Sequence, residues 1–329
     1  MSSPEQRGAR PDVDEIVRLE FEVDPAATLG ELRHGRGDPT IRFERGVVWR
    51  ASRTHDGPAT TRIARARHGW RVSAWGPGAQ VALAGVPRLL GSEDDPSALV
   101  LPRGRLRDLA ARSRGLRFGR TDAVWPSLVP AICGQKVTSA QAHQAYFGIL
   151  RRWGEEAPGP GGLRLPPPPE VIAALPYYDL HPVGLEQRRA ITLIRAAKRA
   201  GWLEAAVEMA PAAALARLRG IPGIGAWTAA EVARPAFGDP DAVSIGDIHI
   251  HDMVCWALAG EARGGDARML ELLEPYRGQR ARVVRLIERA GITAPRYGPR
   301  LGALRIDDLG AGRVRGCTRS GVDIVVSSH

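Results

Sequence analysis

The sequence predicts an α+β protein, with an N-terminal antiparallel β-sheet domain followed by an all-α domain. Five short runs with strand character lie in roughly the first 100 residues, separated by turn-rich pieces such as HGRGDPT and HDGP, as is typical of antiparallel sheets. From about residue 105 onward, apolar residues recur at three- and four-residue steps, the spacing of helices that bury one face. A length of 329 residues fits about two domains.

The strand-like runs are rich in β-branched and aromatic residues. They are IVRLEFEV (16–23), TIRFE (40–44), GVVWRAS (46–52), TTRIARAR (60–67) and GWRVSAWG (69–76). A short helix over GAQVALAG (78–85) is expected to cover the sheet. The polar, acidic stretch GSEDDPSALVLPRG is predicted to form the domain boundary. We therefore expect a flexible N-terminus (1–15), a sheet domain (16–104), a helical domain (105–300) and a C-terminal extension of unassigned role (301–329).

The helical half is predicted to contain a series of short helices, several of which end at Gly or meet a Pro. Segment 128–153 has helical periodicity that breaks near Gly134. The connector EEAPGPGGLRLPPPPE cannot be helical, because proline lacks the backbone donor and clashes with the preceding turn. Further helices are predicted in VIAALPYY, QRRAITLIRAAKRAG, LEAAVEMAPAAALARLRG, AWTAAEVARPAFG, IHIHDMVCWALAG and RARVVRLIERAG.

Charge points to a nucleic-acid partner. The formal net charge is +10 and the sequence pI is near 10.4, as expected of a protein that binds an anionic polymer. A GC-rich coding bias could also raise the arginine content, but it does not explain why segment 101–120 holds seven Arg and one Asp. No apolar run reaches the ~18–20 residues of a membrane helix, and the polar N-terminus shows no export signal. Three scattered cysteines favour a reduced, cytoplasmic setting over a disulfide framework.

The most informative stretch is ARLRGIPGIGAWTAAEVA (216–233), in which a Gly/Pro-rich turn separates two helices. Pro222 prevents the first helix from continuing. Gly223 and Gly225 permit positive φ and leave the backbone bare. The N–H groups that follow are then available at a helix N-terminus, where an anion such as a nucleic-acid phosphate binds readily. The alternative is an ordinary turn between two packed helices.

This string resembles the hairpin of the helix-hairpin-helix DNA glycosylase superfamily, and the helical half resembles its 3-methyladenine DNA glycosylase II-like branch. That branch also carries an A-I-x-G-Q-x-V-S/T segment, matched here by AICGQKVT (131–138), and an aspartate in the loop after the hairpin, matched by Asp247. An N-terminal sheet domain is a further feature of the branch. The resemblance covers most of residues 15–295.

The resemblance implies that Asp247 is catalytic. A carboxylate beneath C1′ of a flipped-out nucleotide stabilises the oxocarbenium character that develops as the C1′–N bond breaks. We expect Asp247 in the first turn of its helix, where the helix dipole helps to keep it ionised. The alternative is a simple N-cap aspartate. Asp252 is a competing candidate, but its spacing from the hairpin is not that of the family.

Within the resemblance, Trp227 decides the reaction subtype. Bifunctional members of the superfamily have a lysine at this position, so tryptophan implies hydrolysis that leaves an abasic site. Trp227 is expected to form the floor of a pocket for a cationic, N-alkylated purine, or else to belong to the core. Other expected pocket residues are Glu231, Ile248 and Trp125. Glu231 and Ile248 stand where members of the branch can have aromatic residues, and Arg285 lies near the position expected for a further pocket tryptophan. The resemblance therefore does not specify which damaged base is the substrate.

DNA contacts are expected from Gln135, Lys136, Gly223, Gly225 and Thr228. Lys136 matches the position of the wedge that fills the gap left by the flipped nucleotide, although a plain phosphate contact is equally reasonable. Gln135 is expected to contact the orphan base or the local backbone.

No cofactor is required, but the resemblance allows a monovalent cation at the main-chain carbonyls of Arg219, Ile221 and Ile224. His251 and Cys255 share a helix face, yet two ligands do not make a zinc site.

The leading hypothesis is a monofunctional glycosylase for N-alkylated purines, acting as a monomer on lesion-containing double-stranded DNA in the nucleoid. The alternatives are a non-catalytic helix-hairpin-helix lesion-recognition protein and a glycosylase for deaminated or oxidised bases. A protein that only binds the lesion does not need the Asp247 carboxylate, whereas the enzyme does. Asp247 therefore distinguishes the enzyme from the first alternative.

Overall fold

The five predicted strands form one antiparallel sheet. The computed structural model describes residues 10–295, so the start of the predicted flexible N-terminus and the whole extension 301–329 lie outside the described residues. The strands are β1 (Val13–Val17), β2 (Ile41–Glu44), β3 (Val47–Thr54), β4 (Gly57–Ala66) and β5 (Gly69–Trp75). Their order in the sheet is β1-β5-β4-β3-β2, and all neighbours are antiparallel. The predicted fold class is confirmed.

The first strand is displaced from its predicted position. We predicted a strand over 16–23, whereas β1 begins at Val13, inside the segment expected to be flexible. Val13 pairs with Ala74 and Val17 pairs with Trp70 of β5. Because β5 begins at Gly69, residues after Val17 have no neighbouring strand to complete a ladder.

Fourteen α-helices lie within residues 10–295. Near the sheet are α1 (Pro25–Leu29), α2 (Ala79–Ala84) and α3 (Val86–Leu89). The helical half contains α4 (Arg105–Arg112), α5 (Trp125–Cys133), α6 (Ser139–Trp153), α7 (Pro169–Ala173), α8 (Gln187–Ala197), α9 (Ala200–Glu204), α10 (Pro211–Arg219), α11 (Ala226–Phe237), α12 (Ile250–Ala259), α13 (Asp266–Leu273) and α14 (Arg280–Arg289). Helix α13 was not predicted. None of the helices within residues 10–295 is both long and apolar enough to cross a membrane.

The Pro/Gly-rich connector (155–170) is not helical over 155–168, as predicted, and it folds back onto the sheet. Its last two residues, Pro169 and Glu170, differ from the prediction because they begin α7, where a proline in the first turn needs no backbone donor. It contains a two-stranded ribbon of β6 (Glu155–Glu156) and β7 (Arg164–Leu165). The backbone N–H of Arg164 donates to the carbonyl of Pro39, and the Arg42 guanidinium donates to the carbonyl of Gly161. These contacts depend on residues more than 100 positions away, which explains why the ribbon was not visible in the local sequence.

Separate apolar clusters support the two halves. In the helical half, α5, α6 and α8 contribute the fully buried side chains of Leu128, Ile149 and Leu193. Beneath the sheet, Ile63 and Val72 pack with residues of α2 and α3. The helical cluster positions α5 and α11 side by side, and the candidate site is built from these two helices and the loop that precedes α12.

The predicted domain boundary is held in place by side chains from distant elements. The Asp94 carboxylate accepts hydrogen bonds from the Phe118 N–H at 3.0 Å and from the Arg282 guanidinium of α14. Arg117 donates to the carbonyls of Gly91 and Asp94. Asp94, in the stretch predicted to be the domain boundary, therefore connects the beginning of the helical half to its last helix.

Candidate functional site: a hairpin, a hydrogen-bonded carboxylate and an acidic pocket

The hairpin consists of α10, a turn at 220–225, and α11. Gly223 has φ of 102°, and a Cβ there would lie 2.2 Å from Oγ1 of Thr192 on α8. Only glycine suits this position, as predicted. Gly225 differs from the prediction, because its φ is −93° and a Cβ there would meet no atom within 4 Å. Gly225 is the N-cap of α11 and adopts extended backbone that any residue can take.

The turn provides unpaired backbone donors. Among residues 10–295, the N–H groups of Gly223 and Gly225 have no hydrogen-bond acceptor, and both glycines are exposed. The first turn of α11 has no acidic side chain that would occupy its N–H groups. Such a helix N-terminus is suited to an anion.

Gln135 and Thr228 hold the turn rather than forming an open contact surface. The Gln135 amide donates to the carbonyl of Gly223 at 3.0 Å and to Oγ1 of Thr228 at 2.9 Å. Thr228 is 2% exposed, so the prediction that its side chain contacts DNA is not supported. Gln135 was expected to contact either the orphan base or the local backbone, and its amide contacts the local backbone.

Lys136 occupies a strained and exposed position. Its φ of 56° places a non-glycine residue in the left-handed region, a conformation that costs energy and persists only where the surroundings impose it. Those surroundings are rigid, because Gln135 is bound to the hairpin and Thr138 forms a capping box with Gln141 at the start of α6. The Lys136 side chain has no partner among residues 10–295, so its ammonium group is free to meet a ligand.

Both oxygens of the Asp247 carboxylate are hydrogen-bonded. Oδ1 accepts from the N–H groups of His249 at 2.8 Å and Ile250 at 3.1 Å. Oδ2 accepts from Nε1 of Trp227 at 3.1 Å. Asp247 precedes α12 instead of lying in its first turn, because Gly246 turns the chain with φ of 90°. Asp247 is therefore not the N-cap residue of the alternative interpretation, which is His249, although its Oδ1 accepts from the first N–H of α12 and its Oδ2 faces α11.

Trp227 lies between Asp247 and the loop after α5. It is half-buried, and its Cη2 atom would lie 3.1 Å from a Cβ at Gly134. Trp227 is absent from the core clusters of the described residues, which argues against the core alternative. It does not line the pocket described next, so its indole lies beside the carboxylate and outside that cavity, and its contact with a base stays a prediction.

A pocket of about 330 Å³ opens next to Asp247. Its wall includes four acidic side chains and one guanidinium: Glu231, Asp247, Asp252, Glu288 and Arg234. The apolar part comes from residues such as Ile250 and Met253. A pocket with this excess of carboxylates attracts a cation more strongly than a neutral molecule.

Two of the predicted pocket residues lie elsewhere. Trp125 is 5% exposed and belongs to the helical core, where its indole donates to the carbonyl of Pro167 at 2.9 Å. Ile248 is 72% exposed and does not line the pocket. Arg285 is also outside the pocket wall, because its guanidinium contacts the Ala27 carbonyl and Glu31. Glu231 does line the pocket, although as part of an ion network.

Arg234 is the centre of that network. Its guanidinium binds Glu31 at 2.5 Å, Glu231 at 2.7 Å and Oγ of Ser244 at 2.6 Å. Burial would raise the pKa of Glu31, but Arg234 and Arg285 together bring it below its usual value. The buried charges are therefore compensated, and the network joins the segment after α1 to the wall of the pocket.

Glu288 is the unpaired acid of the pocket. Of the four lining acids, it alone has no hydrogen-bond or ion-pair partner among residues 10–295. Solvent reaches its carboxyl group, yet the protein packed around it raises its pKa, and Arg234 and Arg285 offset this only in part. Neither Glu288 nor Arg234 was predicted to belong to the site. Glu288 lies three residues after Arg285, and Arg234 lies three residues after Glu231. Residues at this spacing are neighbours on a helix surface, so the predicted residues Arg285 and Glu231 were the available signal.

The other candidate ligands have structural partners. Asp252 accepts from the Gly264 N–H at 2.9 Å and lies 3.0 Å from Nδ1 of His251, and the Gly264 hydrogen bond lowers its pKa. Cys255 is buried against Gly264. Within residues 10–295, no group of three His, Cys, Asp or Glu side chains could hold a metal ion. At the hairpin, the carbonyl of Ile221 accepts from the Ile224 N–H at 3.0 Å, and the monovalent cation stays a prediction.

Comparisons with known proteins agree on the fold. Neither a family model nor a curated protein matches the sequence. The chain is similar to the structure of a 3-methyladenine DNA-glycosylase from Archaeoglobus fulgidus, with 21% identity and a TM-score of 0.70 over 83% of this chain and 97% of that chain. It is also similar to MBOgg1 in complex with a low affinity DNA ligand, with 16% identity and a TM-score of 0.66 over 84% and 96% of the two chains.

A third similar structure is the Clostridium acetobutylicum 8-oxoguanine glycosylase/lyase in complex with double-stranded DNA. It is 11% identical, with a TM-score of 0.63 over 85% of this chain and 97% of that chain. Identities this low establish the fold alone. The chain has the fold of the helix-hairpin-helix DNA glycosylases, as the resemblance implied.

Proposed function

We propose that this protein is a monofunctional DNA glycosylase that releases N-alkylated purines by hydrolysis. The observation that carries the proposal is the Asp247 carboxylate, which three N–H donors hold at the edge of a pocket and which no cationic side chain among residues 10–295 neutralises. Such a group is suited to stabilise a positively charged transition state, because its own orientation is fixed before the reaction begins.

The reaction follows from what Asp247 can do. A nucleotide flipped out of the duplex places its base in the pocket and its C1′ atom near the carboxylate. As the C1′–N bond breaks, the negative charge stabilises the oxocarbenium ion, and the carboxylate orients or deprotonates the water that attacks C1′. The base leaves with the bonding electron pair, and water supplies the new oxygen at C1′.

The hairpin favours hydrolysis over strand cleavage. Strand cleavage in bifunctional members needs an amine that forms a Schiff base with C1′. The indole N–H of Trp227, at the corresponding position, is a donor without a nucleophilic lone pair. The chain has two lysines, Lys136 and Lys198, and neither lies in the hairpin. The expected product is an abasic site in an intact strand.

The pocket favours a cationic base. Purines alkylated at a ring nitrogen carry positive charge, and the wall next to Asp247 holds four carboxyl groups against one guanidinium. Such a base is already a good leaving group, so the mechanism needs no general acid. A neutral oxidised base would gain nothing from this excess of negative charge.

The partner is double-stranded DNA that contains a lesion. The unpaired N–H groups of Gly223 and Gly225 support a contact to one phosphate. The strained, exposed Lys136 supports insertion into, or binding beside, the gap left by the flipped nucleotide. The protein acts as a monomer and needs no cofactor, with a monovalent cation at the hairpin as the one candidate ion.

A base-release assay tests the proposal. Duplexes containing 7-methylguanine, 3-methyladenine, hypoxanthine, uracil or 8-oxoguanine are incubated with excess protein, and the released base and the strand are both analysed. We expect release of the alkylated purines, strand breaks only after alkali, and no adduct trapped by borohydride. Preferred release of 8-oxoguanine would reassign the substrate, a trapped adduct would refute hydrolysis, and tight lesion binding without any release would favour the non-catalytic alternative.

A further inference from the structure

Helix α8 carries a row of arginines that passes the hairpin. Arg188, Thr192 and Arg195 are spaced by four and three residues, so they share one face of the helix. Thr192 is the point of contact with the hairpin, because its Oγ1 would lie 2.2 Å from a Cβ at Gly223. The arginines on either side of Thr192 are exposed, and they therefore stand next to the turn whose N–H groups are unpaired.

The row continues into a stacked cluster at the start of the hairpin turn. Trp202 is 40% exposed, and its ring lies 4.9 Å from the Arg217 guanidinium and 5.9 Å from that of Arg199. Arg217 also donates to the Trp202 carbonyl at 3.0 Å. The far edge of the indole would lie 3.2 Å from a Cβ at Gly220, the first residue of the turn. The tryptophan thus holds two guanidinium groups beside the hairpin.

These cations lack the carboxylates that occupy other arginines. We call Arg188, Arg195, Arg199, Trp202 and Arg217 the hairpin flank. Among residues 10–295, none of its four arginines forms an ion pair. Arg189, the next residue along α8, shows the contrast. It is buried, and its guanidinium binds Glu186 and the carbonyl of Cys133. Arg188, Arg195 and Arg199 are exposed and Arg217 is half-buried, and none of the four is paired with a carboxylate among residues 10–295.

We propose that the hairpin flank binds backbone phosphates of the DNA duplex that neighbour the phosphate held by the hairpin. The inference rests on the proposed function only in taking DNA as the partner. Guanidinium groups match phosphate oxygens with paired N–H donors, and stacking on an aromatic ring reduces the freedom that binding must remove. Contacts of this kind position the duplex and do not depend on its sequence or on a lesion.

The test measures how binding to undamaged duplex depends on salt. Each phosphate contact adds about 0.9 to the slope of log K against log salt concentration. The triple variant Arg188→Gln, Arg195→Gln, Arg199→Gln is expected to bind more weakly and with a slope shallower by about 2 to 3. The matched control is Arg18→Gln, Arg45→Gln, Arg67→Gln in the sheet half, which removes the same charge from exposed arginines without ion pairs among residues 10–295. The control is expected to keep most of the wild-type slope.

Two outcomes overturn the inference: a wild-type slope in the flank variant, or an equal loss of slope in both variants, which would show an effect of net charge alone. Base release at low salt and saturating protein is measured in parallel. If wild-type protein released no base from any lesion, the proposed function would fail while the salt measurement still decided the role of the flank.

Discussion

The indole N–H of Trp227 donates to Oδ2 of Asp247 at 3.1 Å, and this bond joins the hairpin helix α11 to the loop that precedes α12. Because the N–H groups of His249 and Ile250 hold Oδ1, the carboxylate cannot rotate without losing partners. Trp227, at the position where the resemblance implies a lysine in bifunctional members, thus fixes the orientation of the Asp247 carboxylate.

Asp247→Asn is expected to abolish base release while preserving DNA binding. Asparagine keeps the shape and can still accept at one oxygen, but it removes the charge that faces the oxocarbenium ion, at a cost of ~10²-fold or more in rate. Single-turnover release from a 7-methylguanine duplex measures the effect. Asp252→Asn is the control, because Asp252 lines the same pocket but is bound by Gly264 and His251. Near wild-type turnover in Asp247→Asn would refute the catalytic assignment.

Trp227→Phe is expected to slow single-turnover release by roughly tenfold with little change in lesion affinity. Phenylalanine keeps an aromatic ring against Gly134 but removes the N–H, and a hydrogen bond to a charged group contributes about 1.5–3 kcal/mol. Trp227→Ala removes both features. If Phe behaved like wild type while Ala lost discrimination between lesion and undamaged DNA, Trp227 would be a surface for the base and not a positioning residue.

Gly225→Asp is expected to weaken binding to lesion and undamaged duplex alike without unfolding the protein. Aspartate is a favoured N-cap residue, and a side chain at Gly225 would meet open space. Its charge would repel a phosphate bound at the turn. Gly225→Ser, a neutral cap, is the matched control and should bind nearly as wild type. Binding titrations at two salt concentrations check this, and unchanged affinity in Gly225→Asp would make the hairpin a structural turn only.

Gly223 offers the opposite case, in which the fold itself is affected. Gly223→Ala is expected to lower the melting temperature, because its φ of 102° is unfavourable for alanine and its Cβ would lie 2.2 Å from Thr192 Oγ1. Thermal unfolding of Gly223→Ala and Gly225→Ser side by side measures the difference. Equal melting temperatures would contradict the distinction between the two glycines.

Glu288→Gln is expected to slow release of cationic bases relative to neutral ones and to raise stability at neutral pH. Burial raises the pKa of Glu288, so its contribution to stability is complete below the unfolded pKa and is lost as pH rises through the folded pKa. The variant should therefore melt at a higher temperature than wild type near pH 8, and at the same temperature near pH 3.5.

Asp252→Asn provides a control of opposite sign for Glu288. The Gly264 hydrogen bond lowers the pKa of Asp252, so its stabilising contribution is present above the unfolded pKa and is lost as pH falls through the folded one. Asp252→Asn should therefore melt at a lower temperature than wild type near pH 8. Shifts of the same sign in the two variants would show that at least one of the two carboxyl groups is not perturbed as described.

Much of the site could be predicted because its signals are local. Pro222 and the glycines around it mark the turn within a few residues, and Asp247 follows at a spacing that the family resemblance supplies. The errors concern side-chain direction. Thr228 and Trp125 were expected to face a ligand, whereas packing turned both inward. Ile248 follows Asp247 directly, but the turn at Gly246 leaves it exposed instead of placing it in the pocket.

By itself, the sequence determined the fold class, most strand and helix positions and the hairpin, because backbone preferences and apolar periodicity act over a few residues. Tertiary structure decided what those elements bring together. Trp227 and Asp247 are 20 residues apart in the chain, and Glu31 and Arg234 are 203 apart. Contacts over such separations depend on how helices pack, and packing fixes directions that no local pattern specifies. The acidic wall of the pocket is therefore a property of the folded chain.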